Sequence, residues 1–179
     1  MYGIIYKAIE EYILDNFSAE VLYKVKSKSA NAIDFSNIDQ PYNDAALYNL
    51  AKILSEYVST DINIILFNFG EYLIKVTHKK YPDIMEGRGN NLIDYLINLP
   101  NFHNRIMLIY PELTPPEFRI SNLEEKSMLF HYFSKTNAMR EFVRGYLNGL
   151  MKAFNADLLI EFAYSKHENN FEDVFKISW

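Results

Sequence analysis

Residues 98–120, NLPNFHNRIMLIYPELTPPEFRI, decide how the rest of the chain is read. Pro100 is expected to open a helix, because a first turn has no use for the N–H that proline lacks. Phe102, Ile106 and Ile109 then recur at helical spacing, with His103, Met107 and Tyr110 on an adjoining stripe. Pro111 should stop that helix. Pro115 and Pro116 form a rigid corner, since a residue before proline is pushed out of the helical region. The stretch therefore sets one imidazole on a mostly apolar helix face. Such a histidine is ordinarily a core or boundary residue; it is also one way to present an axial ligand to haem iron.

The chain has 179 residues, which is enough for one domain with a sizeable core, taken here as 1–179. With 49% hydrophobic and 23% charged residues it reads as globular rather than disordered. A formal net charge of −5 argues against a protein that tracks nucleic-acid phosphates. The absence of cysteine removes disulfides, thiolate-rich zinc sites, iron–sulfur clusters and thiolate-ligated haem. A transition metal would have to use His78, His103, His131 or His167. No two of these stand at a short metal-ligand spacing. The 14 Tyr and 13 Phe mean a heavily packed core or the walls of a flat ligand.

Residues 2–17 carry Ile5, Ile9, Tyr12 and Ile13 on one helical stripe. Glu10 and Glu11 interrupt its apolar run and no basic leader precedes it, so it is not a signal peptide. No stretch approaches the roughly 18 apolar residues of a membrane span, and the expectation is a soluble, cytoplasmic protein without a targeting extension. Further helices are expected over 18–29, from Asn43 or Asp44 through Tyr57, and from Thr60 or Asp61 through Thr77, with a loop over 30–42. Residues 81–89 read as a turn, and Gly87-Arg88-Gly89 lacks the Lys-Ser/Thr of a phosphate loop. Alternating runs at 117–121 and 127–134, separated by NLEEK, predict a hairpin. A long helix over about 137–154 and strands at 157–164 and 171–177 complete an α+β chain. Gly70, Gly145 and Gly149 within helices point to close packing. Tyr132 and Ser134 leave one face of their strand, joined by Thr136 if the strand continues, and such hydroxyls can hold a carboxylate pair. His131 points away from Tyr132, and the charge run at His78, Lys79 and Lys80 reads as solvated.

His103 with TPPEFR behind it, then HYFSKT and a long helix, resembles the H-NOX family, the haem nitric oxide/oxygen-binding domains. The resemblance runs from MYGIIYKAI to LLIEFAY, and HNRIMLIYPELTPPEFR is its most specific part. It implies an N-terminal helical subdomain (about 1–65, distal) and a C-terminal one (about 66–179, proximal) with a small, about four-stranded antiparallel sheet. Haem b would be buried between them. It implies that His103 is the iron ligand, that Pro115 presses on the haem, and that Tyr132 and Ser134 hold the propionates. The family's third propionate residue is arginine, and here it is Thr136. Lys135, Arg140 or the N-terminus of the following helix would then supply positive potential, and haem would be held more weakly.

The resemblance also places Ile5, Ile9, Leu73, Thr77, Phe142 and Tyr146 around the distal side. Oxygen-holding members have a distal tyrosine where this chain has Phe142. The implied function is therefore a non-enzymatic sensor of nitric oxide (carbon monoxide also binding) that excludes oxygen. Nitric oxide would weaken the iron–His103 link and shift one subdomain against the other. The expected partner is a separate histidine kinase or diguanylate cyclase, with no nucleic acid and no membrane involved. An oxygen sensor using Tyr146 as donor, a peroxidase-like enzyme and a haem-free interaction domain are the alternatives.

Overall fold

The computed structural model describes residues 3–29, 33–37, 44–87, 89–109, 116–136, 138–167 and 171–179. Six helices lead: α1 (Gly3–Asn16), α2 (Ala19–Lys28), α3 (Asp44–Val58), α4 (Ile62–Lys80), α5 (Pro82–Glu86) and α6 (Leu92–Ile109). Then come β1 (Glu117–Ser121), β2 (Ser127–Ser134), α7 (Arg140–Ala153), β3 (Leu159–His167) and β4 (Phe171–Ser178). The strands form one antiparallel sheet in the order β1-β2-β4-β3. This is the α+β architecture expected.

Local chemistry explains the element ends. Ser18 caps α2 by accepting the Val21 N–H at 3.2 Å, and Asp61 caps α4 through the Asn63 N–H at 2.7 Å. The 117–121 and 127–134 runs pair as the hairpin, and Asn122 takes φ 47° at its turn, a conformation asparagine tolerates. Three expectations need correction. Pro100 does not open a helix; it lies inside α6. Tyr95, Leu96 and Leu99 are buried just before it, and their burial outweighs the hydrogen bond that proline forfeits. Residues 82–86, read as turn, form a short helix with Pro82 in its first turn. The last helix starts at Arg140 rather than 137, because Ser134 Oγ accepts the Thr136 N–H at 3.1 Å and holds the chain in a local turn.

One crossing organises the packing. Gly70 of α4 and Gly145 of α7 bring the two backbones together: a Cβ on Gly145 would strike the Phe67 carbonyl, and one on Gly70 would lie 2.6 Å from the Tyr146 nitrogen. Gly149 continues the contact, with a Cβ there meeting the Glu71 Cα at 3.1 Å. The inner face of the sheet adds Met128, Phe130, Tyr132, Phe175 and Ile177 to the same core.

The outer sheet face has its own polar clasp. His131, 3% exposed, makes an Nδ1–Glu172 Oε1 contact of 2.6 Å and an Nε2–Ser121 Oγ contact of 2.6 Å, so one imidazole ties β2 to both neighbouring strands.

Gly145→Ala should lower the unfolding free energy by about 2 kcal/mol or more, because a methyl placed against a backbone carbonyl cannot be relieved by a rotamer change. Urea unfolding at constant m-value measures it.

Candidate functional site

The ring of Phe118 on β1 gathers residues that the sequence scatters. Its centroid lies 5.0 Å from the His103 ring on α6, and 5.4 Å and 5.5 Å from Phe130 and Tyr132 on β2. Tyr146 on α7 lies against it at 6.4 Å, nearly parallel at 18°. His103 is half-buried, one turn beyond the buried Leu99, with the Phe102 ring at 5.9 Å. Three of the residues expected at the site therefore meet around a fourth that was not named. The inward position of Phe118 in EFRI was the available signal.

Beside this cluster is a receptor for a carboxylate. Tyr132 and Ser134 are buried at 2% and 6% exposure, and both hydroxyls donate to the side chain of Asp44. The Tyr132 contact is 3.4 Å; Ser134 approaches more closely. Asp44 is the first residue of α3, so its charge also sits at the positive end of a helix dipole. Thr136 joins through its backbone N–H, which braces the Ser134 oxygen. Arg140 does not lend its charge here. Its guanidinium donates to Ser165 Oγ at 2.9 Å, pairs with Asp173 at 3.5 Å and lies over the Phe162 ring at 3.9 Å. The expected cationic help from Arg140 is thus spent on the β4 carboxylate, the cross-strand partner of Tyr132.

Of the residues expected on the distal side, Ile9, Leu73 and Phe142 belong to the buried core, with Ile5 and Tyr146 packed half-buried against it. Phe142 stacks on Phe69 at 5.7 Å. The Thr77 hydroxyl donates back to the Leu73 carbonyl at 2.7 Å, and the Tyr146 hydroxyl is 3.2 Å from that of Tyr95. Pro115 lies outside the described residues, as do Tyr110 and Pro111.

This donor set fits haem. One imidazole stands against an aromatic wall, and two buried hydroxyls already hold a carboxylate, the group a propionate would present. Among the described residues no three His, Cys, Asp or Glu side chains converge to hold a bare metal ion. The model of the Haem-NO-binding family matches residues 2–162. The chain belongs to the H-NOX family. It is 27% identical over 183 residues to soluble guanylate cyclase gcy-33 and 23% over 176 residues to soluble guanylate cyclase gcy-31, both of Caenorhabditis elegans. These alignments cover 100% and 97% of this chain but 19% and 25% of the relatives, so the chain spans a quarter or less of their length. The fold matches a crystal structure of an oxygen-binding H-NOX domain related to soluble guanylate cyclases with TM-score 0.83 at 18% identity, covering 99% of this chain and 94% of that one. H-NOX domains are haem-binding gas sensors, and this chain corresponds to that sensor part.

Removing both hydroxyls by Tyr132→Phe with Ser134→Ala should cost the haem-free protein about 3 kcal/mol at neutral pH, because the Asp44 carboxylate stays buried without donors. Urea unfolding should show most of that loss recovered when Asp44→Asn is added.

Proposed function

We propose that this H-NOX domain senses nitric oxide through a b-type haem held by His103, excludes oxygen, and reports its state to a partner protein in the cytoplasm. When bound, haem supplies a ferrous iron with an open position for a diatomic gas. The observation that carries the reading is the state of the distal hydroxyls. Phe142 has none, that of Thr77 is turned onto its own helix, and that of Tyr146 faces Tyr95. A ferrous oxygen adduct gains from a hydrogen-bond donor at its negative outer atom, whereas nitric oxide needs little such help. A wall whose hydroxyls are engaged elsewhere therefore favours nitric oxide, with carbon monoxide as a second neutral ligand.

In this reading, residues up to about 65 form the distal subdomain and about 66–179 the proximal one, the division falling near the start of α4. By family resemblance, Pro115 would press on the haem. The partner is a histidine kinase or a diguanylate cyclase, and the names of the relatives add guanylate cyclase as an output. No helix among the described residues is long and apolar enough to cross a membrane. The oxygen-sensing alternative rests on the Tyr95–Tyr146 pair, because rotation of Tyr146 out of that pair would free a donor.

The ligand assignment predicts that His103→Gly abolishes haem coordination and that added imidazole restores it; a native spectrum without imidazole would move the ligand elsewhere. In wild-type protein the reduced visible spectrum should shift with nitric oxide and stay unchanged in brief contact with air. A stable oxygen adduct would favour the Tyr146 reading.

The carboxylate receptor predicts a second result. Asp44 and a propionate would crowd two like charges onto two hydroxyls, without the arginine that the family motif implies. Thr136→Arg should slow haem transfer to an acceptor by about fivefold or more, and Asp44→Asn should move the rate in the same direction. Unchanged rates would remove propionates from this pocket.

A further inference from the structure

A cleft of about 790 Å³ lies between α1, α4 and α7, on the side of α4 turned away from Leu73 and Thr77. Its volume falls within the range of small-molecule pockets, which is roughly 300–1,000 Å³. Helical spacing explains its lining. Asn68, Tyr72, Lys75 and Lys79 recur at three- and four-residue intervals and so share one face of α4, while Leu66, Phe69, Leu73 and Thr77 share the opposite face. The cleft therefore uses residues that the haem reading leaves over.

Its two ends differ chemically. The inner end holds Tyr12 and Ile74, 4% and 2% exposed, together with the side-chain-free Gly149, and the exposed Asn16 and Asn68 stand on its rim. The mouth carries Lys75, His78 and Lys79, all exposed. Neighbouring cations are committed: Lys152 pairs with Glu71 at 2.7 Å, and Lys80 with Glu11 at 2.6 Å. Lys75 and Lys79 have no such partner among the described residues. In a chain of net charge −5, this leaves two uncompensated ammonium groups and an imidazole at one mouth, in front of an aromatic floor rimmed by two exposed carboxamides, of which Asn16 donates to the Tyr12 carbonyl at 2.9 Å.

We propose that this cleft binds a nucleoside polyphosphate, with its phosphates at Lys75, His78 and Lys79 and its base against Tyr72 and the Asn16 and Asn68 amides. Ammonium groups serve phosphate as point charges, and carboxamides read the donor and acceptor edges of a base. The site stands apart from haem: it needs neither His103 nor Tyr132.

The test is isothermal titration of the full chain with ATP, inorganic triphosphate and adenosine at about 0.1 M salt, where only close charge contacts persist. ATP should bind saturably at one site, and more tightly than inorganic triphosphate or adenosine. Lys75→Glu with Lys79→Glu should weaken ATP binding by about tenfold or more while leaving the circular dichroism spectrum unchanged, because both side chains are exposed. Asn68→Leu should weaken ATP but not inorganic triphosphate. No saturable binding of ATP, equal affinity for ATP and inorganic triphosphate, or binding indifferent to the charge reversal overturns the proposal.

Discussion

The crossing of α4 and α7 is the contact on which the rest of this molecule depends. Backbone meets backbone where Gly70 faces the Phe142 carbonyl and the Tyr146 nitrogen, and where Gly145 faces Phe67. No side chain fits between, so neither helix can slide or roll there without separating. That constraint sets where Phe142 and Tyr146 stand, since both lie within one turn of Gly145. Phe142 is driven onto Phe69, and Tyr146 is carried towards Phe118 and Tyr95. The distal wall of the proposed haem site is thus built from residues whose positions two glycines dictate.

A second constraint links the helical part to the sheet. Asp44 begins α3, and its carboxylate is taken up by hydroxyls from the end of β2. A buried carboxylate is tolerated only with such donors, so the entry of α3 is tied to the register of β2. The same chemistry would serve a propionate. Thr136 adds a neutral backbone N–H, given to Ser134, and Arg140, close by in sequence, is already balanced by Asp173. A receptor built this way suits one carboxylate well and a second one poorly.

Much of this was legible in the sequence because it is local. The hairpin follows from two alternating runs around NLEEK, a cap for α4 at Thr60 or Asp61 from residue type, and the tight helix packing from glycines at helical positions. The shared face of Tyr132 and Ser134 follows from strand alternation, and the roles proposed for them and for His103 come from motif resemblance. What stayed hidden is long-range. Nothing near Pro100 announces that Tyr95, Leu96 and Leu99 will be buried firmly enough to carry a helix through it. Asp44 lies 88 residues from Tyr132, and no local pattern couples them. His131 read as an ordinary strand residue because Glu172 and Ser121 reach it only once three strands are side by side. Phe118 is one aromatic among many until the fold places His103, Tyr132 and Tyr146 around it.

The two faces of α4 make one physical system. On one face Leu73 and Phe69 meet the core that holds Phe142; on the other, Lys75 and Lys79 stand at the mouth of the cleft. The glycine crossing stops the helix from yielding locally, so a load on either face must be taken up by α4 and α7 together. Gly149, whose backbone meets Glu71, also lines the cleft, and Glu71 in turn holds Lys152 and Asn148 of α7. A ligand in the cleft therefore touches both helices about one turn beyond their closest approach. Energetic coupling to the opposite face requires only that the ligand bind two arrangements of this helix pair with different affinity.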